Sequence, residues 1–410
     1  MRRPWIPFAS LALLALPAAA QASPPEPVAV LEWPDGARQV RRLVELELAS
    51  IAPEGAAFLR IEGLESPPGP APGLTALATL ARGDRLRAEV LGGSGELLEL
   101  GLVGSARLAL LVDSLRGLVF EGRVQPQARA GLTPPDSGDL LFWLRPGETI
   151  DRVPGTLVAF EDEGPRLQGA FGERVFPWGE VAALFIEPLG APPSPEPGAS
   201  EPGLRPDASV VVDLVDGGRL SGRLLSLGAG GLRLEHAPGR EVDLPLAALS
   251  EVLADDGRVR FLSDLEPARV AEGSPFDDDL GLTWPHRRDA SVTGAPLRAG
   301  GRTWSRGLGV HAPSRLAYAL DGRWSSLRGS VAVDDQVLLL SARGSVEFRV
   351  LVDGETRWSS GTVRGGQPPL DLPAVDLSDA QELELVVDMA EDHYVADRAD
   401  WLRLLLVRAP

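Results

Sequence analysis

The sequence predicts an all-β protein: a string of small, strongly bent sheets followed by a β-sandwich. Three observations predict it. Short runs of alternating apolar and polar residues recur along the chain, bounded by Asp-Gly, Gly-Gly and Pro-Gly pairs. No segment after the N-terminal stretch keeps a long helical period. From about Arg258 the strand-like runs become more regular, and five of the nine Trp gather there.

Taken in order, residues 1–22 read as a secretory signal peptide. Arg2-Arg3 supply a positive start, Phe8 to Ala20 an apolar stretch short for a bilayer, and Ala20-Gln21-Ala22 a small-x-small cleavage pattern. No later stretch holds the roughly 20 continuous apolar residues of a spanning helix. The expectation is an exported chain, periplasmic or extracellular, and not transmembrane after cleavage.

Residues 24–65 read as a degenerate first β repeat with Asp35-Gly36 as its turn. Residues 74–130 form a fuller repeat, from RGDRLRAEVL through GELLELGL to ARLALLVDSLRGLVF. Residues 139–190 give a shorter version, and 191–206 (APPSPEPGASEPGLRP) have the composition of an extended linker. Residues 207–257 carry the clearest repeat. Asp216-Gly217 is its hairpin signal, and Leu220, Leu224, Leu232, Leu234, Val242 and Leu244 are spaced to line an inner face. Leu246 to Val252 then reads as a short terminal turn or helix. These repeats resemble Sm-like or SH3-like barrels in a general way, without a diagnostic motif. The expected role is spacer or protein contact.

Composition excludes several function classes. The 410 residues carry a net charge of −18, and all 40 basic residues are Arg. With no basic run beyond short Arg pairs, a nucleic-acid partner is not expected. Cysteine is absent, which removes disulfides, thiolate nucleophiles and Cys-ligated metals. The four His (His236, His286, His311 and His393) leave little room for His-based catalysis. Residues 24–250 also lack a nucleophile elbow and a long α/β pattern.

Residues 258–410 hold the most specific signal. Strand-like runs include Arg315 to Leu320, Ser326 to Val333, Ser345 to Val352, Thr356 to Val363, Glu382 to Val387 and Trp401 to Val407. FLSDLEP at 261–267, WPHRRDASVTG at 284–294 and GLGVHAPSRLAYAL at 307–320 follow one another. Then come Val333-Asp334-Asp335, VEFRVLVDG at 346–354 and DRADW at 397–401. Together they resemble the NPCBM family of carbohydrate-binding modules. The resemblance implies a galactose-binding-like jelly roll with a ligand site in loops at one end, galactose-type sugars in some members, and no catalysis. The chain departs from the family pattern at Val337 to Leu340, in the loop Ala390 to Ala396, and at Arg398, where His is frequent.

A sugar site needs an aromatic face for the C–H surface of the ring and polar partners for its hydroxyls. Trp304, Trp284 and Trp401 are candidates for the face, Trp304 foremost because Gly300-Gly301 and Ser305 flank it. Arg306, His311, Asp334, Asp335 and Asp397 are the candidate hydrogen-bonding residues. One reading of Asp397 and Asp400 is a structural calcium site; another is hydrogen bonding within turns. The function expected is a non-catalytic carbohydrate-binding protein whose partner is a glycan or polysaccharide. The alternatives are an adaptor for another envelope protein and a glycoside hydrolase accessory subunit.

Overall fold

The computed structural model describes residues 26–51, 55–65, 67, 75–129, 131–145, 149–187, 209–273, 284–391 and 394–408. The signal-peptide stretch, the 191–206 linker, Ser66, Asp277 to Asp279 and His393 lie outside the described residues. Among the described residues the chain is all-β, with short 3-10 turns and one single-turn α-helix at Pro126–Arg129.

Three five-stranded units share one plan. The first is β4 (Thr75–Leu80), β5 (Arg85–Ser94), β6 (Leu97–Gly101), β7 (Arg107–Leu111) and β8 (Leu115–Val119). The second is β9 (Asp139–Leu144), β10 (Ile150–Phe160), β11 (Pro165–Gly169), β12 (Gly172–Val175) and β13 (Val181–Phe185). The third is β14 (Ser209–Leu214), β15 (Arg219–Gly228), β16 (Gly231–Ala237), β17 (Arg240–Leu244) and β18 (Leu249–Ala254). In each, four strands meander and the fifth returns beside the first. The long second strand bends the sheet. Its first half pairs with strand one and its second half with strand three, with a register shift at Val90/Gly92, Leu157/Ala159 and Leu224/Ser226. An extra residue at such a point kinks the strand and steepens its twist.

A 3-10 turn precedes the last strand in every unit, at Val112–Ser114, Trp178–Glu180 and Leu246–Ala248. The segment read from sequence as a terminal turn or helix is therefore helical for only three residues. From Leu249 it is the closing strand, because its apolar residues face the core and pair with β14.

An N-terminal unit keeps only three strands, β1 (Val28–Glu32), β2 (Arg38–Arg42) and β3 (Phe58–Glu62), with β1 in the middle. Final strands join the units in pairs: β3 bonds to β18, and β8 to β13. One apolar cluster, from Ala29 through Leu98 and Phe160 to Val252, runs beneath all four units.

The C-terminal part is a two-sheet jelly-roll sandwich. Its strands are β19 (Val259–Phe261), β20 (Arg269–Glu272), β21 (Arg287–Arg288), β22 (Leu297–Ala299), β23 (Arg302–Trp304), β24 (Gly307–His311) and β25 (Ser314–Ala319). They continue with β26 (Trp324–Val333), β27 (Ser345–Val352), β28 (Glu355–Arg364), β29 (Leu370–Asp376), β30 (Glu382–Met389) and β31 (Arg398–Arg408). One sheet has the order β21-β24-β31-β26-β29, with β19 also on β31. The other is β20-β25-β30-β27-β28, and β22–β23 form a separate hairpin. Leu308, Val310, Val331, Trp401 and Leu404 from the first sheet meet Leu316, Tyr318, Phe348, Val350 and Leu385 from the second. Among the described residues no helix is long and apolar enough to cross a membrane.

The sandwich docks on the N-terminal units through two buried arginines. Arg306, 3% exposed, bonds Asp213 (3.1 Å) on β14 and Asp264 (2.6 Å), and lies 3.9 Å from Asp289. Arg219 on β15 bonds Asp213 (2.8 Å) and Asp289 (2.9 Å) from the other side. Burial raises the Asp289 carboxyl, but Arg219 and Arg306 outweigh it and hold the group below its ordinary value. Arg403 sits in a bulge of β31 with φ 49°, where inward-facing positions change phase between Trp401 and Leu404. That backbone sends its side chain out to Glu251 (2.8 Å) and Glu32 (3.5 Å), over the Phe58 ring. Phe58 and Phe261 meet edge to face at 5.8 Å between the two anchors.

Candidate functional site

Loops at one end of the sandwich gather a stack of three rings. β24 ends at His311, and the Gly309 backbone lets the preceding segment lie against it: a Cβ there would stand 2.5 Å from Ser291 Cα. Ala290 and Ser291 thus close on β24, which carries Trp284 over its far end. Trp284 stacks on the His311 ring at 5.5 Å and 13°, and Tyr394 meets the same His311 ring at 4.5 Å, tilted by 47°. His311 is buried, and its Nδ1 donates to the Ala312 carbonyl at 2.9 Å. A carbonyl only accepts, so the proton sits on Nδ1. Burial pushes the imidazole below its usual pKa, partly opposed by that hydrogen bond and reinforced by Arg398. The ring is therefore neutral at pH 7. Trp284 and Tyr394, half-buried, complete the aromatic surface.

Arg398 crosses above this surface, its guanidinium 6.0 Å from the Trp284 ring centre. Its Nη1 donates to Gln336 Oε1 at 3.3 Å. Gln336 is fixed in turn: Thr293 Oγ1 donates to its Oε1 and its Nε2 donates to Ser291 Oγ, both at 2.8 Å. A planar arginine beside two aromatic rings, with an amide held by second partners, is an arrangement that can pack a sugar face and read its hydroxyls.

The candidate residues from the sequence divide among three places. His311 belongs to the ring stack. Asp334 and Asp397, both fully buried, serve the backbone instead. Asp334 caps the 3-10 turn Asp335–Leu339 by accepting from Gln336 N (2.8 Å), and also accepts from Arg298 N (3.2 Å). Asp397 accepts from Ser345 N at 2.9 Å. Asp335 accepts from Gly301 N at 2.8 Å near the rim. Trp304 is half-buried on the β22–β23 hairpin. Its indole N–H donates to Ala299 O (3.2 Å), and Arg302 covers its ring at 3.5 Å, so that face is taken. Trp401 lies in the core against Phe348. Arg306 is far from the loops, in the docking junction.

Asp400 is buried beside Asp334, and burial first, then the Asp334 charge and hydrogen bond, push its carboxyl well above the usual range. Among the described residues no three His, Asp or Glu side chains converge to hold a metal. Asp397 and Asp400 alone fall short of the six to eight oxygens that calcium takes.

Tyr394, Arg398 and Gln336 escaped the reading of sequence as site residues. The signal for two of them was present: the 390–396 loop and Arg398 are where the chain leaves the family pattern.

With this geometry in place, the comparisons with known proteins fall on the same region. Residues 258–406 match the NPCBM/NEW2 domain. Alpha-1,3-galactosidase B of Akkermansia muciniphila is 33% identical over 122 residues, which are 29% of this chain and 15% of that protein. The chain spans 15% and 7% of the lengths of the two curated relatives it matches. Among solved structures, the CBM51 module of Clostridium perfringens GH95, in complex with methyl-galactose, has 23% identity. That match covers 36% of this chain and 99% of the module, with a TM-score of 0.32. CBM51-2 with the INT domains of Clostridium perfringens ZmpB, in complex with GlcNAc, has 22% identity. It covers 48% of this chain and 43% of that one, with a TM-score of 0.33. Residues 258–406, which match the NPCBM/NEW2 domain, fold as a two-sheet β-sandwich.

Proposed function

We propose that this chain is an exported, non-catalytic glycan-binding protein whose NPCBM/NEW2 domain takes a sugar at the loop end carrying Trp284, His311, Tyr394 and Arg398. The single observation that carries the reading is the ring stack capped by an anchored arginine. Trp284 and Tyr394 offer C–H-accepting ring surface, Arg398 donates to hydroxyls, and neutral His311 packs against both rings. The name of the Akkermansia relative makes galactosides the first sugars to test. The four N-terminal units act as a Sm-like scaffold that presents this end, and the two arginine anchors keep it in a fixed orientation.

The test is a glycan array with the full chain, with and without EDTA, followed by titration of the best sugar into Trp284→Ala. Loss of one stacking ring lowers affinity about tenfold or more. An unchanged affinity with an intact fold places the site elsewhere. A chain that binds no glycan and instead holds one protein partner makes it an adaptor.

A further inference from the structure

The most exposed large apolar side chain of the described residues stands beside this site. Leu339 is 89% exposed, between Leu338 (41%) and Leu340 (40%), and Val395 on the 394–398 segment is 58% exposed. The turn that carries them is firmly built. Asp334 caps it, Val337 is fully buried beneath it, and Leu340 N donates to Val337 O at 3.0 Å. Gly365 packs so tightly under Val337 that a Cβ there would stand 2.5 Å from Val337 Cγ2. The three leucines are thus held out in water by an ordered base, which is unfavourable unless something covers them. Gln336 ties the same turn to Arg398, so the finger and the ring stack share one rim.

We propose that Leu338–Leu340 dip into a lipid layer, so that the ligand of the adjoining site is a sugar carried by a lipid. This rests on the reading of the ring stack as a sugar site. Charge favours the same occupant. Arg343 is exposed and has no side-chain partner among the described residues, Arg364 pairs with Glu391 at 2.5 Å, and Arg398 bonds Gln336 in the same turn. Arginines at that height meet lipid phosphates while leucines enter the acyl region. The net charge of −18 disfavours a strongly anionic bilayer, so the surface is a neutral one bearing glycolipid.

The experiment is co-sedimentation of the full chain with phosphatidylcholine vesicles, with and without galactosylceramide, beside titration of soluble methyl-galactoside. The wild-type chain is expected to sediment with the galactosylceramide vesicles. Leu339→Ser weakens that binding about tenfold and leaves the methyl-galactoside affinity and the thermal midpoint unchanged. Leu339→Trp strengthens vesicle binding. Equal sedimentation of Leu339→Ser and wild type overturns the finger. Equal, leucine-dependent binding to vesicles lacking the glycolipid overturns the assignment of a lipid-carried sugar. A wild-type chain that ignores methyl-galactoside and both vesicles overturns the sugar reading itself, and the proposal with it.

Discussion

Arg306 lies in the signature run GLGVHAP's approach, beside the glycines, and sequence places it among the ligand residues. The structure gives it a different task, and the difference is measurable. Replacing it with Met keeps an apolar side chain of similar length but removes the guanidinium from the Phe261 ring face and from Asp213, Asp264 and Asp289. Breaking a buried ion pair from one side typically costs about 3–5 kcal/mol, because the other charge is left without its partner. Two features pull the value to the lower end. Asp264 is 38% exposed and is rehydrated, and Arg219 still reaches Asp213 and Asp289. We expect a loss of about 3 kcal/mol, read as a drop in the urea midpoint of the full chain. A double-mutant cycle with Asp213→Leu isolates the pair, with an expected coupling of about 2 kcal/mol.

Sugar affinity separates docking from recognition. Arg306 precedes β24, and His311 ends it, five positions on. At about 3.4 Å per residue that is roughly 17 Å of strand, beyond the reach of a monosaccharide held at the ring stack. Arg306→Met therefore leaves the sugar affinity within about twofold. The reasoning is refuted by the opposite pattern, in which stability is unchanged and affinity falls tenfold.

Two further outcomes follow from the same geometry. Arg403→Ala removes the second anchor and leaves Glu251 and Glu32 unpaired by it, with an expected cost of about 3 kcal/mol; Arg403→Gly, which relieves the positive φ, is expected to lose less, and equal losses in urea unfolding would show that the bulge stores no strain. His236, on the wall of a 760 Å³ cleft, is pushed down to about 4 by burial and then by Arg240 and Arg82. Between about pH 6.5 and 4 the unfolded chain binds this proton and the folded chain does not. Stability present above that window is lost as pH falls through it, at no more than about 1.4 kcal/mol per pH unit, and in total about 2 kcal/mol because the ring borders an open cleft. His236→Gln should flatten this stretch of the pH–stability curve relative to wild type, and a curve of unchanged slope would remove His236 as its cause.

Much of the fold was legible because turns are local. Asp353-Gly354 and Asp321-Gly322 place both residues at positive φ, and Gly36 and Gly217 take φ 87° and 85°, as their Asp-Gly pairs foretell. Strands such as Ser345–Val352 and Thr75–Leu80 alternate in burial as they alternate in facing. Pairing at a distance left no such mark. Nothing in Val119 or Val252 announces that the final strands of different units join, because that choice rests on which edges remain open once each unit has closed. The bulge at Arg403 was hidden for a related reason: LRLLLV reads as a continuous apolar run, and only the phase change between Trp401 and Leu404 shows where its facing switches.

The site was half legible for a different reason. Sequence identifies residues able to meet a sugar, and a charged or aromatic side chain in a turn has that ability whether it faces a ligand or the protein. Asp334 and Asp397 spend their oxygens on backbone N–H groups, since a loop that crosses the end of a sandwich must satisfy its own amides first. Trp304 lies beneath Arg302 because a hairpin packed on the outer sheet needs its ring as floor. The sugar site proposed above falls instead on Trp284, Tyr394 and Arg398, with the leucines of 338–340 beside it as the proposed lipid contact. The segments 338–340 and 394–398 are also where this chain departs from the NPCBM pattern. Residues that keep the pattern, such as Gly309 and Trp401, build the sandwich, and on the reading proposed above the departing ones set its ligand.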